Sequence, residues 1–190
     1  MNKPPYLTFP DISDIIAGLR AKYPVLSDTP VDIEAFAELD LELGIVPKAG
    51  LRQAVKADAM ITRDFQSILI DNDYYSKPIM HGRNRFSIAH ELGHLFLHRD
   101  YFNSQCPVKS DDEWIRFMEN MDDAVFYRLE KQADMFAGMI LMPKDEIVAS
   151  VNAGESLETI SRKFEVSTKA ARRRIKDDDV WDAINRGGDQ

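Results

Sequence analysis

A single cysteine, Cys106, stands in a chain of 190 residues, so neither an internal disulfide framework nor a cysteine-rich zinc knuckle can be built. A metal, if one is bound, must be held by histidine and carboxylate. Cys106 itself, beside Pro107, reads as a bystander rather than a nucleophile. No apolar run approaches the ~18 residues of a membrane-spanning helix. The start, MNKPPYLTFPDISD, lacks an apolar core behind a basic patch, as a signal peptide would have. A soluble, cytoplasmic protein with no membrane partner is the expectation. Basic charge is also short: 24 Lys and Arg face 32 Asp and Glu, a net charge of -8. That argues against nucleic-acid binding over the whole surface, which draws mainly on phosphate neutralisation, and leaves a local basic patch to consider. Repeats and low-complexity tracts are absent.

What is present is a globular composition, 44% hydrophobic and 29% charged, enough for one compact unit with a tail-end module. Ile12, Ile15, Ile16 and Leu19 follow helical spacing until Pro24. A second helix is expected from Asp32, with Ile33, Phe36, Ala37 and Leu39 on one side and Gly44 as its exit. Residues 59–71, AMITRDFQSILID, read as a hairpin turning at Arg63 and Asp64. From Asn84 to about His98, apolar residues recur at Phe86, Ala89, Leu92, Leu95 and Phe96, a helix with Asn84 or Ser87 as its cap. Asp111 to Met142 predicts one or two further helices, ended by Pro143. The expected fold is therefore α+β: mostly helical, with a small antiparallel sheet beside the central helix and a helix-turn-helix-like module at the C-terminus. A soft boundary falls at Gly154, dividing residues 1–153 from residues 154–190.

The central helix carries His90, Glu91 and His94 in the order His-Glu-x-x-His. Residues four apart on a helix differ by about 40° around the axis, so the two imidazoles can converge on one ion. Glu91, about 100° round from His90, lies beside that ion. Metal-dependent hydrolysis needs this set: two neutral nitrogen ligands and a carboxylate that takes a proton from water and passes it to the leaving amine. Zinc would lower the pKa of a coordinated water to about 7 and polarise the scissile carbonyl.

Two histidines leave a zinc site incomplete. His98 is the nearest further candidate, but it lies about 12 Å from His90 along a straight helix, too far for shared ligation at about 2 Å. It is expected to be a surface or packing residue near the helix end, where the dipole favours a partly positive ring. His81 reads as a loop residue. In EKQADMFAGMILMP, Glu130 and Asp134 share the polar face of a helix. Glu130 is the candidate third ligand, and Asp134 would accept the free N–H of a ligating imidazole. An ordinary ion pair between Glu130 and a surface Lys or Arg is the alternative.

The stretches NRFSIAHELGHLFLH (84–98) and EKQADMFAGMILMP (130–143) together resemble the ImmA/IrrE family of metallopeptidases. Its members carry Arg-Phe-x-x-Ala-His-Glu-x-Gly-His followed by Glu-x-x-Ala-Asn/Asp-x-Phe-Ala and a Leu-Met-Pro-like turn. The order of elements fits from about Val31 to Ile175, whereas the first 30 residues have little to match. The resemblance implies a gluzincin-like zinc peptidase with His90, His94 and Glu130 as ligands and Glu91 as base. It further implies cleavage of a helix-turn-helix (Xre-type) repressor encoded nearby, relieving repression of phage, mobile-element or stress genes. Related proteins act as partners in toxin-antitoxin-like pairs, so a non-proteolytic partner of such a regulator, keeping the metal site as a structural or vestigial feature, is the alternative reading. A large sensory domain, present in some relatives, is not expected in a chain of this length. Zinc is the expected ion, although a two-His, one-carboxylate set also accepts manganese.

A substrate would lie extended along a strand edge. Ser67–Asp71 is the candidate, as an edge or an interior strand. Tyr74, Tyr75, Arg85, Tyr101 and Tyr127 are chemically eligible to stabilise an oxyanion. In the C-terminal module, residues 156–176 read as two short helices joined at Phe164–Val166, with Ser167 capping the second. DNA reading would use Lys169, Arg173 and Lys176. However, Arg172, Arg173 and Arg174 fan over about 200°, Glu165 occupies the turn, and residues 155–179 hold seven basic and six acidic side chains, a net +1. Packing or partner docking is thus expected ahead of DNA binding.

Overall fold

The reciprocal capping of Thr8 and Asp11 opens the first helix, α1 (Phe9–Lys22), whose apolar stripe buries Ile12 and Ile16 before Pro24 starts a short 3-10 turn. The computed structural model describes residues 4–106 and 110–186. Asp32 then caps α2 (Ile33–Ala35), which runs directly into a π turn at Phe36–Asp40. Gly44 does not serve as a helix exit. Glu42 takes a positive φ of 55° to turn the chain, and Gly44 begins strand β1 (Gly44–Lys48).

After α3 (Leu51–Val55), the expected hairpin forms from β2 (Ala59–Ile61) and β3 (Ser67–Asp71). The sheet is mixed rather than purely antiparallel. β2 pairs antiparallel with β3, and β1 joins the other side of β3 in parallel, Gly44 opposite Ser67. The order β1-β3-β2 makes β3 the interior strand. Burial alternates along it, with Ile68 and Ile70 buried and Ser67 and Leu69 half-buried, until Asp71, which is also buried.

α4 (Asn72–Tyr75) and a 3-10 turn lead into α5 (His81–Gly93). α5 begins three residues before Asn84 and has no side-chain cap; Asn84 is buried inside it, donating from Nδ2 to the Tyr74 carbonyl at 3.2 Å. A π turn at His94–His98 carries the helix on to α6 (Arg99–Gln105). The predicted helical stretch beyond is two helices, α7 (Asp111–Glu119) and α8 (Asp123–Leu141), with Asp122 capping the second. α8 lies along α5 and buries Leu129, Ala133, Phe136, Ala137 and Ile140.

Pro143 separates α8 from α9 (Lys144–Asn152). Then come α10 (Leu157–Lys163), α11 (Thr168–Ile175), capped by Ser167 as expected, and α12 (Asp178–Arg186), which had no counterpart in the sequence reading. The α10–α11 turn sits on the start of α5. A Cβ on Gly82 would come within 2.8 Å of the Val166 carbonyl carbon, so only glycine permits that approach. Arg174, 1% exposed, holds Asp177 and Asp179 and donates to the Met142 carbonyl, tying α11 to the end of α8. Among the described residues no helix is long and apolar enough to cross a membrane.

Candidate metal centre

His90 and His94 reach the same point because they are one helical turn apart. Their Nε2 atoms are 3.1 Å apart. Glu130 arrives from α8, with Oε2 3.3 Å from His90 Nε2 and Oε1 3.1 Å from His94 Nε2. Among the described residues, the ion-pair partners of Glu130 are therefore these two imidazoles and not a surface Lys or Arg. Gly93 makes the meeting possible: a Cβ there would stand 2.9 Å from the Cα of Ala133. One methyl group at the helix crossing would push Glu130 away from the histidines.

The spacing fits a metal ion. Ligands placed tetrahedrally at about 2.0–2.1 Å from zinc are about 3.3 Å from one another, and the three groups here stand at 3.1–3.3 Å. Three ligand atoms, one from each of His90, His94 and Glu130, can be chosen within 4.8 Å of one another. The electrostatics agree. Burial pulls the His90 pKa down, but hydrogen bonds to Asp134 and Glu130, with the nearby Glu91 charge, carry it up to about 10. Burial also pushes Glu130 up, yet the His90 and His94 contacts hold its carboxyl well below the usual carboxylate range. The carboxylates around these rings favour positive charge at this point, which a proton on an imidazole or a bound divalent ion can supply.

The far side of each imidazole is also engaged. His90 Nδ1 lies 3.0 Å from Asp134 Oδ1, and Asp134 Oδ2 accepts from Arg173 Nη1 of α11 at 2.6 Å. Despite burial, the hydrogen bond with His90 and the Arg173 charge keep Asp134 low. His94 Nδ1 lies 3.1 Å from His98 Nδ1, and His98 Nε2 lies 2.9 Å from Gln132 Oε1. His98 is thus neither at the surface nor partly positive. It is fully buried, and burial together with the neighbouring His94 pushes its pKa down to about 3. Sequence reasoning missed Gln132 altogether; the signal available was the repeat of the four-residue interval from His94 to His98.

Glu91 lines the same cavity of about 350 Å³ as His90, His94 and Glu130, among apolar walls that include Phe86, Trp114, Met118 and Phe126. Its Oε2 accepts from the Ile61 main-chain N–H at 2.8 Å. Ile61 faces Ile68 across the hairpin, while its neighbour Thr62 donates to the Ser67 carbonyl. By antiparallel alternation the N–H and C=O of Ile61 therefore point away from β3. The C=O accepts from Trp114 Nε1 at 3.2 Å. The strand edge bordering the cavity is β2, not Ser67–Asp71, because β3 lies between its two neighbours.

None of the five oxyanion candidates lines this cavity. Arg85 is buried and donates to the Val31 and Glu165 carbonyls, and Tyr75 bonds Glu34. Tyr74 is covered by the Arg52 and Arg83 guanidinium groups, and Tyr127 is exposed. His81 opens α5 rather than lying in a loop, and it bonds Glu165 at 3.2 Å. Cys106 is buried, and its carbonyl accepts from Arg63.

Residues 74–176, more than half of the chain, match the family described as the IrrE N-terminal-like domain (Peptidase_M78). The chain belongs to this metallopeptidase family. The matched span contains α5, α8 and the whole metal-competent cluster, and it continues through α11. A Mycobacterium tuberculosis transcriptional regulator shares the fold, with a TM-score of 0.57 at 16% identity over 85% of this chain. This chain spans about half of that structure, 46% of its length. No curated protein matches the chain.

Proposed function

We propose that this IrrE-type chain is a zinc-dependent endopeptidase whose substrate is a helix-turn-helix (Xre-type) transcriptional repressor. The observation that carries the reading is the convergence of His90, His94 and Glu130 within 3.1–3.3 Å, with Glu91 on the wall of the same cavity. In this reading His90, His94 and Glu130 hold the ion, with zinc favoured and manganese also accommodated. The bound ion supplies Lewis acidity and an acidified water. Glu91 accepts a proton on its carboxylate and delivers it to the leaving amine. Asp134 holds His90 with its proton on Nδ1, leaving Nε2 turned toward Glu130. The apolar walls lower the polarity around these groups, which strengthens the charge interactions among them. The resemblance to the ImmA/IrrE family implies action on a regulator, and the chain shares its fold with a protein described as a transcriptional regulator.

The helices from Gly154 onward serve, in this proposal, as a docking and packing module rather than a DNA reader. Arg173 is engaged by Asp134 and Arg174 by Asp177 and Asp179, so two of the three consecutive arginines face the protein itself. Strong, salt-sensitive duplex binding by the full chain would overturn this assignment.

The test is co-incubation of the zinc-supplied protein with the Xre-type regulator encoded beside its own gene, read by gel and mass spectrometry. Fragments with wild type and none with Glu91→Gln are the expected result. A second reading, a partner that holds the regulator without cutting it, draws on one observation: Glu91 and Trp114 cap both outward main-chain groups of Ile61, closing the strand edge beside the site. An intact regulator bound equally well by wild type and Glu91→Gln would favour it.

A further inference from the structure

We propose that His98 and Gln132 are positioning residues that set the tautomer of His94, and with it the lone pair which His94 presents to the metal. The inference rests on the reading of His90, His94 and Glu130 as the metal site. It begins at the far end of a chain of contacts. Gln132 Nε2 donates to the Pro5 carbonyl at 3.1 Å and to the Leu7 carbonyl at 3.4 Å. An amide turned the other way would set its oxygen against two carbonyl oxygens, so Oε1 is the atom that faces His98.

Oε1 can only accept, and it lies 2.9 Å from His98 Nε2. His98 Nε2 therefore carries a hydrogen. The His98 ring is 0% exposed, and its hydrogen-bond partners are an amide and an imidazole rather than a carboxylate. A charge there would be buried without compensation, so the ring is neutral. A neutral imidazole has one N–H, which leaves Nδ1 of His98 as a bare acceptor.

His94 Nδ1, 3.1 Å away, must then be the donor. With that hydrogen fixed on Nδ1, Nε2 of His94, the atom 3.1 Å from both Glu130 Oε1 and His90 Nε2, is the nitrogen whose lone pair an ion would take. The opposite tautomer would point an N–H at the ion and set two lone pairs against each other at His98. Asp134 performs this service for His90 with a carboxylate; for His94 it is done by a second, uncharged imidazole whose own tautomer is set by Gln132. The segment before α1 thus bears on the metal site through two main-chain carbonyls.

The test uses the full-length chain with ¹⁵N-labelled histidine. Long-range ¹H–¹⁵N spectra of the metal-free protein distinguish N–H from bare nitrogens, and competition with a chromophoric chelator measures zinc affinity. The expected spectrum puts a hydrogen on His98 Nε2, none on His98 Nδ1, and one on His94 Nδ1. Gln132→Leu removes the acceptor and should lower the His98 Nε2–H population, and Gln132→Leu and His98→Phe should each weaken zinc binding about 10–100-fold. Thermal melting of the metal-free variants controls for folding, since a purely structural role would lower the melting temperature and leave the tautomers in place. A His98 hydrogen found on Nδ1 in wild type overturns the proposal, as does unchanged zinc affinity in both variants. If wild type takes up no zinc, the metal reading fails, and the metal-free spectrum then decides the relay by itself.

Discussion

The side chain of Glu91 and the main-chain N–H of Ile61 are joined by a hydrogen bond of 2.8 Å, which ties the motif helix to the edge strand of the sheet. The same strand position accepts from Trp114 on its carbonyl side, so α5, β2 and α7 meet at one residue beside the metal-competent cluster. Glu91 is 8% exposed, and this bond satisfies one of its oxygens while the side chain lines the cavity.

Replacing Glu91 by Gln keeps an oxygen that can accept from Ile61 and removes only the proton acceptor. Zinc content and melting temperature should remain those of wild type, while cleavage of the regulator falls by about 10²–10⁴-fold or more. Metal analysis beside single-turnover kinetics checks this. Wild-type cleavage in the variant would show that Glu91 is not the base.

Zinc should stabilise the folded chain, since the cluster is assembled only in the native state. At a hundredfold excess over Kd the gain is about 2.7 kcal/mol, which for a chain of this size raises Tm by about 5–10 °C. His94→Ala and Glu130→Ala should each abolish the shift along with cleavage. Calorimetric melts with and without zinc are sufficient, and an undiminished shift in Glu130→Ala would remove the carboxylate from the ligand set.

Gly93→Ala places a methyl group against the Ala133 backbone at 2.9 Å. The two helices must separate or distort, at a cost of about 1–3 kcal/mol, and Glu130 is carried away from His90 and His94. The variant should fold, melt earlier, and bind zinc more weakly than wild type. Equal zinc affinity would mean that the helix crossing tolerates the methyl without moving the cluster.

Arg173 and Asp134 should separate by magnitude. Arg173 is about half exposed, with 49% of its side chain accessible, so Arg173→Ala should cost less than about 1 kcal/mol after solvent screening and weaken zinc only slightly. Asp134→Ala removes the group that orients His90 and should weaken zinc about 10–100-fold. Chelator competition on both variants tests the order, and a larger loss for Arg173→Ala would reverse it.

His90, Glu91 and His94 were legible because their relationship is set within one turn of one helix, where spacing alone determines direction. α1, the hairpin and the capped α11 were legible for the same reason: apolar period, turn residues and a Ser or Thr cap act over a few neighbours. Glu130 was reached through a pattern on a second helix, and the sequence offered a surface ion pair as an equal alternative until the two patterns were taken together. Gly44 was misread because the π turn and the positive φ of Glu42 end the helix early, leaving the glycine to start a strand.

Sequence alone determined which side chains could act on a metal, since residue type and helical interval settle chemistry and local direction. Tertiary structure alone decided that β3 lies inside the sheet, that Gly93 admits α8, that Arg173 turns inward to Asp134, and that His98 reaches Gln132. Each of these joins residues distant along the chain or depends on how whole elements are placed. Such contacts form only when burial of the apolar faces of α5 and α8 brings their polar faces together, and no local interval records that meeting.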